Sequence, residues 1–172
     1  VARLDPDGPS QVLVVSTLGR LHVFNARTGK QQWASNVIGG GKVAGHPVVV
    51  DNDGRKVILA PLGNAGVVAF DWASRSELWR SPAGIPVIAS PAVADFGGTK
   101  NGAVVVAAVT GDVFVLRLAD GKSIWRNRIM TEMVEADPVV ADLDGDGTPD
   151  ILIAGYNFRL HALSGAGSIG AR

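Results

Sequence analysis

Three tryptophans, Trp33, Trp79 and Trp125, stand at equal intervals of 46 residues, and each closes a similar phrase. The phrases are Asn25-Ala-Arg-Thr-Gly-Lys-Gln-Gln-Trp33, Asp71-Trp-Ala-Ser-Arg-Ser-Glu-Leu-Trp79 and Arg117-Leu-Ala-Asp-Gly-Lys-Ser-Ile-Trp125. A second marker keeps step with them: Pro47, Pro91 and Pro138 each open a short apolar run that ends in Asp51, Asp95 and Asp142. A fourth unit overlays the first at a constant offset of 139, which matches Leu4 with Leu143, Asp5 with Asp144, Asp7 with Asp146, Gly8 with Gly147, and Arg20-Leu-His22 with Arg159-Leu-His161. The chain therefore divides into units of approximately 1–43, 44–88, 89–135 and 136–172 within a single domain.

A period in the mid-forties with several short β-rich runs per unit is the pattern of propeller blades; helical repeats of this length need apolar residues spaced by 3.6, which are lacking here. Within the second unit the sequence predicts strands at 47–50, 57–60, 67–70 and 77–80, separated by the turn compositions Asp-Asn-Asp-Gly, Gly-Asn-Ala-Gly and Ala-Ser-Arg-Ser. The expected fold class is all-β, a partial β-propeller of about four blades of four-stranded antiparallel sheets. The runs Ala103 to Val109 and Ile151 to Ala154 are nearly all apolar, which predicts strands covered on both faces by neighbouring blades. The repeated tryptophans fill space between blades on this reading, and His22 and His161, at equivalent places on the third strands, pack or face solvent rather than bind metal.

Asp142, Asp144, Asp146 and Asp150 fall at positions 1, 3, 5 and 9 of a loop, with Gly147 at position 6 and the Thr148 carbonyl at position 7. Calcium takes six to eight hard oxygen ligands, and alternate carboxylates on a tightly turning loop converge on one point when glycine supplies the bend. Asp142, Asp144, Asp146, Thr148 and Asp150 are thus the candidate Ca²⁺ ligands. An EF-hand requires a bidentate glutamate at position 12, where this chain has Ile153. The other units hold the loop in decay: Arg3 and Gln11 replace the first and last carboxylates in unit one, Lys56 follows Asp51 and Asp53 in unit two, and unit three keeps Asp95 alone. A single metal site is expected.

Two resemblances follow. Gly111 to Trp125 resembles the quinoprotein-like (PQQ-like) repeat, and Pro138 to Gly155 resembles the FG-GAP/VCBS-type repeat of integrin α-like propellers. Together they imply a metal that fixes a blade's turn and a module that works in protein interaction, adhesion or assembly outside the cytoplasm: periplasm, cell surface, secreted or organelle lumen. The runner-up is a fragment of a quinone-dependent (PQQ) dehydrogenase. No adjacent cysteine pair, phosphate loop or nucleophile motif accompanies the repeats, so no catalytic or cofactor-binding residue is assigned and the expectation is a non-enzymatic scaffold.

The 16 basic and 16 acidic residues cancel without blocks of one sign, which disfavours nucleic acid as a partner, and no apolar run approaches the roughly 20 residues that cross a bilayer. Val1 to Asp5 carries no signal-peptide pattern, and the absence of cysteine leaves the redox compartment open. The strand equivalent to 47–50 has no counterpart ahead of Val1, and a tryptophan-bearing strand is due after Gly165. The sequence therefore predicts an incomplete propeller whose end units are covered by further blades or a protein partner, with strand 159–163 offering a free edge.

Overall fold

The computed structural model describes residues 1–81, 85–96 and 102–164. The stretch 97–101 of the third unit's loop and the tryptophan-bearing strand expected after Gly165 lie outside the described residues. Four antiparallel meanders follow one another. The first is β1 (Gln11–Ser16), β2 (Arg20–Asn25) and β3 (Gln31–Ala34); the second is β4 (Val48–Asn52), β5 (Arg55–Pro61), β6 (Val67–Asp71) and β7 (Ser76–Arg80). The third is β8 (Ala92–Ala94), β9 (Ala103–Ala107), β10 (Asp112–Arg117) and β11 (Ser123–Arg128); the fourth is β12 (Val139–Ala141), β13 (Asp150–Ala154) and β14 (Leu160–Ser164). The strands expected for unit two appear in order in one sheet. No helix among the described residues is long and apolar enough to cross a membrane.

Alternation along the middle strands builds three cores. On β5, Ile58 and Ala60 meet Leu21 and Val23 of the first sheet, while Val57 and Leu59 meet Val104 and Val106 of the third. On β9 and β10, Val105 and Val113 turn the other way and pack with Ile151 and Ile153. A strand that feeds a core on each face must be apolar at every position, and β5, β6, β9 and β10 are buried along nearly their whole length for that reason. The expectation of two covered faces fails for β13: Ile151 and Ile153 are buried, Leu152 is half-buried and Ala154 is exposed. Its described neighbours pack on one face. The first strands of sheets three and four, β8 and β12, approach each other and so mark the side nearest the propeller axis.

The tryptophan strand carries a bulge at the same place three times. Val23, Ala69 and Val115 pair with Trp33, Trp79 and Trp125, and the register then slips by one residue. Such a bulge bends the strand and re-aims the side chain next to it, here toward the following blade. Trp79 lies in the core between sheets two and three, and Trp33 and Trp125 pack at the margins of the cores on either side.

Two buried carboxylates each tie a pair of consecutive strands together, β5 to β6 and β10 to β11. Arg55 Nε lies 3.0 Å from Asp71 Oδ1, and Arg126 Nε lies 3.1 Å from Asp112 Oδ1. Asp71 also accepts from the backbone N–H and hydroxyl of Ser74 at 3.1 and 2.6 Å. The Arg55 guanidinium foremost, then the Ser74 donors, hold the Asp71 carboxyl far below the usual carboxylate range against the opposing push of burial. A depressed carboxylate stabilises the fold above its unfolded pKa of about 3.9, and that contribution is lost as pH falls through the folded value. Urea midpoints measured downward from about pH 5 should therefore fall more steeply for the parent than for Asp71→Asn; parallel curves would remove Asp71 from the acid response.

Candidate functional site

Pairing of Ala141 with Asp150 closes the loop between β12 and β13, and Gly145 and Gly147 turn it through positive φ, 77° and 84°. One carboxylate oxygen each from Asp142, Asp144 and Asp146 lies within 4.8 Å of the other two, and all three residues are exposed. Ligands on opposite sides of a calcium ion stand about 5 Å apart, given Ca–O distances of about 2.3–2.6 Å, so the spacing suits one ion. Backbone N–H groups hold the carboxylates in place. Gly145 and Gly147 donate to the two oxygens of Asp142 at 2.7 and 2.9 Å, Asp146 donates to Asp144 at 3.2 Å, and Thr148 donates to Asp146 at 2.7 Å. Asp150 stands apart from the converging three, and its Oδ2 accepts from Leu143 N–H at 3.1 Å.

The first unit explains that bond. Ala2 bridges Gln11, the counterpart of the Ala141–Asp150 pair, and Leu4 N–H donates to Gln11 Oε1 at 2.9 Å. The offset of 139 thus holds in space, and a neutral amide latches the loop as the Asp150 carboxylate does. The latch needs an acceptor, not a charge.

The degenerate loops carry built-in donors where the fourth has converging carboxylates. Asp5, the counterpart of Asp144, accepts from Trp72 Nε1 at 2.6 Å and Gln11 Nε2 at 3.1 Å, so the first unit's loop is tied to the second sheet. In unit two, Lys56 Nζ lies 2.7 Å from Asp51 Oδ2 while Gly54 N–H caps Oδ1. The Lys56 ammonium, then the Gly54 N–H, lower the Asp51 pKa. Among the described residues no lysine or arginine forms an ion pair with Asp142 or Asp146. Hard oxygen donors, converging and turned by glycine, fit a calcium ion.

The histidines take other roles. His22 Nδ1 meets Gln31 Oε1 at 3.0 Å with its ring stacked on Phe24, and His161 Nε2 meets Asn157 Nδ2 at 2.8 Å. The third histidine belongs to a pattern that the sequence left unmarked. His46, Ser90 and Asp137 each precede the proline that opens a first strand. Ser90 Oγ accepts from His46 N–H at 2.9 Å and also meets His46 Nδ1 at 2.9 Å, while Asp137 Oδ1 accepts from Ser90 N–H at 2.6 Å. Histidine, serine and aspartate are thus neighbours, yet the carboxylate holds a backbone N–H and not the imidazole, which makes a seam between blades and not a proton relay.

Comparison with known proteins gives one family model and a set of solved propellers. Residues 63–144 match the model described as outer membrane protein assembly factor BamB, of the PQQ-like type. No curated protein matches the chain. BamB from Moraxella catarrhalis is similar in structure at 19% identity and a TM-score of 0.59, over 92% of this chain and 44% of that one. Quinohemoprotein alcohol dehydrogenase from Comamonas testosteroni gives 19% identity and 0.66, over 92% and 32%. BBS1N, solved in complex with ARL6DN, gives 11% identity and 0.70, over 98% and 53%. The chain thus spans between about a third and a half of these three structures. Four antiparallel sheets together with these likenesses establish a β-propeller fold, with a match to a PQQ-like family model over residues 63–144.

Proposed function

We propose that the chain is a non-catalytic β-propeller module for protein interaction or assembly, steadied by Ca²⁺ at the loop between β12 and β13, as in the FG-GAP reading of that segment. The observation that carries the metal assignment is the contrast among the loops: Asp51 pairs with Lys56 and Asp5 with Trp72, whereas Asp142, Asp144 and Asp146 converge. These three residues would hold the ion, with Asp150 and the Thr148 carbonyl as the remaining proposed ligands. When bound, the ion would neutralise the loop and fix its shape.

Support for the scaffold comes from the match to an assembly-factor model over residues 63–144 and from neighbours that include a propeller solved with a protein bound. The likeness to the assembly factor also favours a place outside the cytoplasm, in the periplasm or at the outer membrane, where extracellular-type Ca²⁺ sites of about 10⁻⁴–10⁻³ M affinity fill. The likeness to quinohemoprotein dehydrogenases favours a second reading, a portion of a quinone-dependent enzyme. Absorbance separates the two. After incubation with pyrroloquinoline quinone and Ca²⁺ and removal of free quinone, the protein is expected to show no quinone band in the near ultraviolet and no alcohol-dependent dye reduction; stoichiometric retention of quinone would overturn the scaffold reading.

A further inference from the structure

The seam between sheets one and two differs from that between sheets two and three at one repeat position. Gly29, Arg75 and Gly121 occupy the same place in the turn before the tryptophan strand, all with positive φ, at 70°, 59° and 69°. Glycine suits that backbone and arginine is strained in it. At the second seam the indole of Trp79 lies so close to Gly121 that a Cβ there would stand 2.6 Å from the ring, and Trp79 Nε1 donates to Leu118 O at 2.7 Å. At the first seam Arg75 fills the glycine's place and its guanidinium lies over Trp72. Trp33 remains half-buried, meeting Phe70 edge to face at 5.6 Å and 71°.

A cleft of about 620 Å³ opens there, with Trp33 and Phe70 as its aromatic lining and Arg75, Glu77 and Arg80 along its wall. Val37, 63% exposed, is at its rim. Arg80 is held by both oxygens of Glu77, at 2.8 and 2.6 Å, whereas Arg75 forms no ion pair among the described residues, and the carboxylates it feels, Asp5 and Asp71, are bonded instead to Trp72 and Arg55. Neither the Trp33 indole N–H nor the Arg75 guanidinium has a hydrogen-bond partner among the described residues. Aromatic grooves with an available indole donor recognise extended proline-containing chains, whose rings pack on the aromatics while a carbonyl takes the N–H. A guanidinium beside them selects carboxylate.

We propose that this cleft binds an acidic, proline-containing extended segment of a partner protein, an assignment that rests on the scaffold reading above. The probe is a blocked peptide of five Pro-Glu repeats, titrated while the indole N–H resonances are followed by NMR. The Trp33 resonance is identified by its loss in W33F. It is expected to shift and saturate with the Pro-Glu peptide and to stay put with the same peptide bearing lysine for glutamate. R75G restores the residue that units one and three carry, so it should melt no lower than the parent yet bind at least ten-fold more weakly. No shift of Trp33 up to millimolar peptide, an equal response to the lysine peptide, or parental affinity in R75G would overturn the proposal. Quinone retention sinks the scaffold reading whatever the peptide does, whereas a silent cleft in a quinone-free protein sinks the cleft alone.

Discussion

Trp79→Ala is expected to lower the free energy of unfolding by about 3–5 kcal/mol. The indole is 7% exposed, lies in the core that joins sheets two and three, and donates to Leu118 O in the next blade. Truncation opens a cavity at the seam and leaves a buried carbonyl without its donor. Trp79→Phe separates the two effects: it keeps an aromatic ring over Gly121 and removes the N–H, for an expected loss of about 1–3 kcal/mol. Trp33→Ala should cost less than Trp79→Ala, since Trp33 is half-buried and makes no equivalent bond. Urea unfolding at neutral pH measures all three. A loss under about 0.5 kcal/mol for Trp79→Ala would be that of a surface side chain and would contradict the packing described.

Much of this fold was legible because each blade repeats the same local chemistry. The tryptophan phrase fixes the outer strand, its bulge and its positive-φ turn together, and a run such as Val57 to Leu59 must be apolar throughout because alternate residues enter different cores. Contacts that join unlike residues at long separation were not legible. Asp5 and Trp72 are 67 positions apart and neither breaks a local rule. The pre-proline seam uses histidine, serine and aspartate at one repeat position, so no residue type marks it. Asp150 illustrates the limit within the loop itself. In sequence it completes a ligand pattern, and its role as a latch emerges only when the strand register pairs it with Ala141 as Gln11 pairs with Ala2.

Calcium is expected to raise the melting temperature by roughly 5–10 °C at a concentration near 100 times Kd. Binding to the folded state alone contributes about 2.7 kcal/mol at that ratio, and each kcal/mol moves the midpoint of a domain this size by about 2–4 °C. Excess chelator should reverse the shift. Asp144→Ala removes one of the three converging carboxylates and should abolish most of the response, whereas Asp150→Asn keeps an acceptor for Leu143 N–H, as Gln11 does for Leu4, and should weaken binding less. The second unit suggests a stricter test. Lys56 precedes Val57, which pairs with Val50, and Pro149 precedes Asp150, which pairs with Ala141, so the two match in register, with Lys56 directly opposite Asp51 in a ladder that runs on to Asn52 and Arg55. Pro149→Lys would thus bring an ammonium to Asp142 as Lys56 brings one to Asp51, supplying a tethered cation in place of a free one. That variant should melt in chelator no lower than the parent and gain little from added calcium. If calorimetry returned the parent's affinity for Asp144→Ala, or if Pro149→Lys responded to calcium as fully as the parent, the converging carboxylates would not be the site.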